Sequence, residues 1–110
     1  MDRKYLMSLQ DSIEKEIRKI EEKDVRKLFY DAKDLVSAAY LLELGNSFKS
    51  NFLKIISIRS VLEDKFYNSN LKDNEKYNML LIDEVIGLGD SYADDESITI
   101  RRAKNASINW

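Results

Sequence analysis

The sequence contains no cysteine, no histidine and no proline, and it has only three glycines. Without cysteine the chain can form neither a disulfide nor a thiolate site, and a reducing intracellular compartment is the default expectation. Without histidine it lacks the commonest general base near neutral pH and the commonest metal ligand. The shortage of proline and glycine argues against a sheet protein, because sheets use both residues repeatedly at their turns. These absences predict an all-α protein with neither thiol catalysis nor a structural zinc site.

Recognisable catalytic motifs are absent as well. The sequence has no P-loop, no dinucleotide fingerprint and no G-x-S-x-G elbow. Asp31 and Asp34 lie one helical turn apart, and Asp83 and Glu84 are adjacent, so either pair could hold a hard metal ion such as magnesium. In a chain with 20 acidic residues, however, such pairs arise by chance and usually face water. We therefore predict that the protein is not an enzyme and uses no cofactor, metal ion or small-molecule substrate.

Long apolar runs and a strong excess of one charge are also missing. No segment approaches the ~20 apolar residues that cross a bilayer, and the first residues lack the apolar core of a signal peptide. The net charge of −2 gives no reason to expect nonspecific adhesion to nucleic acid or anionic lipid. A length of 110 residues fits one domain. We expect a soluble, cytoplasmic protein that does not bind membranes.

Helical periodicity is the clearest pattern that the sequence does contain. The first apolar stripe recurs at spacings of three and four residues and consists of Leu6, Leu9, Ile13, Ile17 and Ile20. The stripe slips at the EEKD of residues 21–24 and restarts at Val25. Either Asp24 caps a second helix there, or one long helix from about residue 3 to 44 rotates its apolar side. We favour a break or kink within residues 22–25, which would make a helical hairpin.

The middle of the chain carries a second helix boundary. Gly45 can take the left-handed conformation that ends a helix, and Asn46 or Ser47 can cap the helix that follows. That helix is expected to stop at the polar stretch YNSN of residues 67–70. Together with the stripes on either side, these boundaries predict a small bundle of four to five helices.

The C-terminal third is predicted to hold one more helix and a segment of different composition. Asp73 is expected to cap this helix, and Gly87 and Gly89 to end it. We therefore assign residues 1–89 to the helical bundle domain. Residues 90–110 are predicted to form an acidic loop followed by a basic tail or short helix, packed on the same domain; a short strand is the alternative for the tail.

The segment of residues 35–62 is apolar on more than one side, as in a helix that is central in its own bundle or contacts a partner. Arg59 borders its stripe and could lie along the core with its guanidinium in water, or pair with Glu63, or contribute to an interface. We predict a non-catalytic protein–protein interaction or assembly subunit that binds itself or another protein. The predicted interface comprises Val36, Tyr40, Leu41, Leu53, Ile58 and Arg59.

A nucleic-acid-binding component of a nucleoprotein complex is the alternative function. Four lysines recur every four residues and would form a basic ridge on a continuous helix, although interleaved acids cancel most of its field. A second basic cluster lies near Trp110, which could stack on a base. The candidate contacts are Lys15, Lys19, Lys23, Lys27, Arg101, Arg102 and Lys104. A small regulator or inhibitor of another protein is also compatible with these residues.

Overall fold

The computed structural model describes residues 2–94, and every regular element in this range is helical. The elements are α1 (Arg3–Ile17), α2 (Lys23–Glu43), α3 (Phe48–Tyr67), a short 3-10 turn (Asn70–Asp73) and α4 (Leu80–Asp94). The prediction of an all-α bundle is therefore confirmed, with four α-helices. None of these helices is both long enough and apolar enough to span a bilayer.

Helix α2 is the central helix of the bundle, because it packs on α1, α3 and α4 and makes the most extensive contacts of the four helices. Its buried side chains occupy a wide arc and are Val25, Leu28, Phe29, Ala32, Leu35, Val36, Ala38, Ala39 and Leu42. Most of the apolar side chains of α2 are therefore covered by other helices of this chain. Val36, which the sequence pattern assigned to an interface, is fully buried in this core and is not available to a partner.

The first two helices form a hairpin rather than one long helix. Helix α1 ends at Ile17, so the break lies within residues 18–22, just before the predicted position. Asp24 does not cap α2: it lies in the first turn, and Glu22 is the cap residue. The guanidinium of Arg26 donates to the carbonyl of Ile20 at 2.7 and 3.2 Å and closes the turn. Ile20 can therefore stay in the core although it lies outside a helix.

Gly45 ends α2, as the sequence predicted, and the chain then turns into α3. Gly45 has a φ of 84°, and its N–H donates to the carbonyl of Leu42 at 3.0 Å. The N–H of Asn46 donates to the carbonyl of Leu41 at 3.0 Å, which completes a Schellman motif. Ser47 occupies the cap position of α3, but its side chain makes no capping hydrogen bond within the described residues.

Helix α4 differs from its predicted bounds at both ends. Asp73 lies in the 3-10 turn, and α4 begins only at Leu80. The helix then continues through Gly87 and Gly89 to Asp94, so the predicted end at the glycines is wrong. Residues 90–94 consequently belong to the bundle and not to an acidic loop. The rest of the predicted C-terminal segment, residues 95–110, lies outside the described residues.

Side chains of the α1–α2 turn hold the connection that leads into α4. The buried carboxylate of Glu16 accepts the N–H of Asn78 at 2.9 Å, and the hydroxyl of Tyr77 accepts the N–H of Glu21 at 3.0 Å. Two further contacts are Glu22–Asn74 at 2.7 Å and Glu22–Lys76 at 3.2 Å. We call this set the clasp, because it joins parts of the chain more than 50 residues apart.

Candidate interaction surfaces

Arg59 joins α3 to α4. Its Nη1 atom lies 3.0 Å from Asp90 on α4 and 3.6 Å from Glu63 on its own helix. Its aliphatic carbons lie against Gly89, where an added Cβ would be 3.0 Å from the Cβ and Cγ of Arg59. The Nε atom is buried and finds no hydrogen-bond partner in the described part of the chain. Arg59 is therefore an internal link between two helices and not an exposed contact residue.

Carboxylates of both helices gather along the contact between α3 and α4, Glu63 from α3 and three aspartates from α4. We call Glu63, Asp83, Asp90 and Asp94 the acidic edge. The pKa of Glu63 is raised, chiefly by its hydrogen bond with Asp90 and further by partial burial and by the charges of Asp90 and Asp94. Tyr67 donates to Asp83 at 2.6 Å, and this hydrogen bond is the main reason that its pKa rises to about 12. The acidic edge holds four carboxyl groups, and the single positive charge of Arg59 cannot balance all of them.

The two glycines of α4 provide a matched test of the contact between α3 and α4. Gly87→Ala is expected to raise the free energy of unfolding by about 0.5–1 kcal/mol, because alanine favours a helix interior. The added Cβ would have no described atom within 4 Å. Gly89→Ala gains the same propensity, but its Cβ would press on carbons of Arg59 that are close to the backbone. We expect a net loss of about 1 kcal/mol, since overpacking costs roughly 1–3 kcal/mol.

Urea unfolding of the two variants measures this difference. Equal stabilisation by both substitutions would show that α3 and α4 are not in close contact at Gly89.

The predicted interface residues do not come together on one surface. Tyr40 and Ile58 are half-buried and pack against the core, as flanking residues of it. Leu41 is 40% exposed and Leu53 is 52% exposed, so only these two of the six present substantial apolar surface.

Most of the exposed large apolar side chains nevertheless lie on α2, its C-cap and α3. They are Tyr30, Leu41, Leu44, Leu53, Val61 and Tyr67, against Tyr5, Met7 and Leu80 elsewhere in residues 2–94. The sequence pattern missed Tyr30 and Val61, because each directly adjoins an apolar residue that is buried in the core, Phe29 and Leu62 respectively. The sequence did contain a signal for both residues, because each is an apolar residue outside the apolar stripe of its own helix.

Three of these side chains lie on the outward sides of α2 and α3. Tyr30 and Leu41 are eleven residues apart, which is three helical turns, so they share one side of α2. Lys65 of α3 lies 3.9 Å from Asp31 of α2, and Val61 is one turn before Lys65 on the same side of α3. We call Tyr30, Leu41 and Val61 the α2–α3 face.

The structure does not place the four N-terminal lysines on one helix. Lys15 lies in the last turn of α1, Lys19 in the turn, and Lys23 and Lys27 on α2. Lys19 pairs with Glu16, and Lys27 pairs with Asp31. The helix is not continuous through these residues, so the condition under which the four lysines would form one basic ridge is not met.

The second predicted basic cluster, Arg101, Arg102 and Lys104, lies outside the described residues, as does Trp110. Nucleic-acid binding stays a prediction.

Three of the four paired carboxylates, Asp31, Asp83 and Glu84, contact other side chains. Asp31 lies between two lysines, and its Oδ2 atom is buried without a hydrogen-bond donor among the described residues. Glu84 accepts the hydroxyl of Tyr5 at 2.6 Å; burial first, and then this hydrogen bond, raise the pKa of Tyr5 to about 12. Within residues 2–94 no group of three acidic side chains is arranged to hold a metal ion.

Comparisons of this chain with protein-family models, with curated proteins and with solved structures find no match in any of the three.

Proposed function

We propose that the protein is a non-catalytic interaction or assembly subunit whose α2–α3 face binds a second copy of this chain or another protein. The observation that carries the proposal is the concentration of exposed large apolar side chains on α2 and α3. Scattered single exposures are ordinary on a protein surface, whereas apolar residues that share one side of two adjacent helices can be covered together.

The helices below this face support such a role. Ala38 is 2% exposed and lies two helical turns after Asp31, which pairs with Lys65 of α3, so the two helices pack closely there. Side chains that project from rigid, well-packed helices lose little backbone freedom on binding, and this lowers the free-energy cost of association.

Asp34 lies between Tyr30 and Leu41 in sequence and is exposed, as is Lys54 on α3, so charged groups flank the apolar contacts. An apolar centre with a polar rim is the usual anatomy of an interface.

Charge substitutions on the α2–α3 face are expected to weaken association without unfolding the chain. Leu41→Glu and Val61→Glu replace side chains that are 40% and 41% exposed, so circular dichroism and the Tm should change little. Covering the exposed part of Leu41 contributes roughly 1 kcal/mol, and an unpaired carboxylate in its place costs more to bury, so the Kd is expected to rise by about 10-fold or more. Sedimentation velocity of the full chain over a dilution series measures self-association.

The matched control is Leu80→Glu, because Leu80 is 78% exposed and lies at the start of α4, away from the α2–α3 face. If the chain is monomeric at every concentration, the same variants are compared as bait in pull-downs. A partner that is lost with Leu41→Glu and Val61→Glu but retained with Leu80→Glu supports the proposal. Association that tolerates both substitutions on the face contradicts it.

A further inference from the structure

Two polar contacts show how α1 and α2 align. The amide of Gln10 donates to the hydroxyl of Ser37 at 2.9 Å, and the ammonium of Lys33 lies 3.3 Å from the carboxylate of Glu14. The two helices are therefore antiparallel, with Gln10 level with Ser37 and Glu14 level with Lys33. Because a helix rises about 1.5 Å per residue, these two pairs give the levels of the other side chains along the contact.

Three large apolar side chains lie near the start of α1, where it packs beside α2. Met7 precedes Glu14 by two turns, so it shares the side of α1 that faces α2. Leu41 and Leu44 follow Ser37 by about one and two turns, so they lie toward α1. Met7 is 52% exposed, Leu41 40% and Leu44 43%. We call these three residues the α1–α2 patch.

Opposite charges flank Met7 along α1. Lys4 comes three residues before Met7 and Asp11 four residues after it, so the three side chains share one side of the helix. Lys4 and Asp11 are both exposed. Neither side chain forms an ion pair with another residue in the range 2–94. The patch is therefore bordered by one positive and one negative charge, one helical turn to either side of its methionine.

This order of charges is complementary to itself. When the α1 helix of a second copy lies antiparallel across Met7, Lys4 of each copy comes opposite Asp11 of the other. The two Met7 side chains then meet at the two-fold axis, and every contact is made twice, as in an isologous dimer. A uniformly basic or uniformly acidic partner would instead be attracted by one of the two charges and repelled by the other. Charge complementarity therefore favours a second copy as the occupant.

We propose that the α1–α2 patch binds a second copy of this chain, with the two α1 helices antiparallel and Met7 at the two-fold axis. Leu41 and Leu44 of each copy flank the paired methionines, whose flexible side chains adapt to such a contact. The inference goes beyond the proposed function, because it assigns a different surface, which shares only Leu41 with the α2–α3 face.

Charge reversal in the full chain tests this pairing. Lys4→Glu and Asp11→Lys each bring like charges together twice in the dimer, so each is expected to raise the Kd of self-association by about 10-fold or more. An equimolar mixture of the two variants should associate with a Kd within about 3-fold of that of the unaltered chain, because both contacts of the mixed dimer again join an acid to a base. Sedimentation velocity over a dilution series measures all of these constants.

Lys72→Glu is the matched control for Lys4→Glu, because it changes the net charge by the same amount. Lys72 is exposed and lies in the 3-10 turn, which contacts the start of α2 through Asn74 and so lies at the opposite end of the bundle from Lys4. Its substitution should alter the Kd by no more than about 2-fold, since it reports only the effect of net charge. Circular dichroism checks that every variant keeps its helices.

Three outcomes would overturn the proposal. A monomer at every concentration would show that no second copy binds, whether or not another protein uses this surface. Self-association that tolerates Lys4→Glu and Asp11→Lys would occur through another surface. A mixture of the two variants that stays as weak as either alone would show that Lys4 and Asp11 do not face each other.

Val61→Glu separates this inference from the proposed function, because Val61 belongs to the α2–α3 face and not to the α1–α2 patch. Self-association that is weakened by Val61→Glu but not by Lys4→Glu would support the proposed function and contradict the pairing of α1 helices. The reverse result would support the pairing and leave the α2–α3 face to be tested with another protein as partner.

Discussion

Phe29→Ala is expected to lower the free energy of unfolding by about 3–5 kcal/mol. Phe29 is fully buried on α2, the helix with the most extensive contacts to the others. Removal of its ring loses the free energy of burial and leaves a cavity that four connected helices can fill only in part. Because small domains are stable by roughly 5–15 kcal/mol in total, this single change removes a large share of the stability. Urea unfolding at constant m-value measures it.

The neighbouring aromatic residue is the matched control for Phe29. Tyr30 is 45% exposed, so Tyr30→Ala should alter the free energy of unfolding by no more than about 0.5 kcal/mol. The same variant should weaken association, because Tyr30 belongs to the α2–α3 face. If Phe29→Ala does not fold, Phe29→Leu should cost about 1 kcal/mol, as a substitution that keeps most of the volume. If Phe29→Ala and Tyr30→Ala lowered the free energy of unfolding by similar amounts, the result would contradict the burial of Phe29 and the exposure of Tyr30.

Glu16→Ala is expected to lower the free energy of unfolding by about 1.5–3 kcal/mol. Its carboxylate is buried and accepts the N–H of Asn78 at 2.9 Å, so the substitution removes a hydrogen bond to a charged group. It also leaves that N–H, which enters the start of α4, without its acceptor. Glu16→Gln keeps an acceptor oxygen and should therefore cost less than Glu16→Ala.

Glu14 is the matched control for Glu16. It lies two residues earlier on α1, is 38% exposed and pairs with Lys33 at 3.3 Å. Exposed ion pairs contribute about 0–1 kcal/mol, so Glu14→Ala should have a small effect. The comparison is made by urea unfolding of the full chain. Equal costs for the two substitutions would show that Glu16 acts only as a surface charge and that the clasp does not stabilise the start of α4.

The local features of the fold could be predicted from the sequence. The stripe that includes Leu6 and Ile13 is buried on α1, and Gly45 ends α2 in the left-handed conformation. Helix α3 also ends where the sequence predicted, at the polar stretch of residues 67–70. Each of these depends on contacts within about four residues, where spacing and backbone preference determine the result.

The features that depend on packing between helices could not be predicted in this way. Glycine in a helix interior costs about 1 kcal/mol, so Gly89 indicated an end. Helix α4 continues through it because the absence of a Cβ lets Arg59 lie against the helix. The ion pair of Arg59 with Glu63 could be predicted, because the two residues are four apart on one helix. The ion pair with Asp90 could not, because it depends on how α3 and α4 align. Asp73 offered a cap, but the clasp delays α4 to Leu80.

The candidate surface was predictable only in outline. An apolar excess over residues 35–62 was apparent, but a pattern does not distinguish side chains covered within the chain from those left outside. The central position of α2 covers Val36 and leaves Leu41 exposed, although both lie in the same apolar stretch. The spacing of Tyr30 and Leu41 places them on one side of α2, but only the packing of the other helices shows that this side stays exposed.

The clasp has a consequence for the order in which the chain acquires its structure during synthesis. The α1–α2 hairpin and the α2–α3 hairpin close short loops, so each can form as soon as its residues leave the ribosome. Asn74 and Asn78 are separated from their clasp partners by 52 and 62 residues. We therefore expect the part of α2 that packs on α4 to stay open to solvent until Leu80–Asp94 has emerged. We expect this nascent state to be the one most in need of a chaperone.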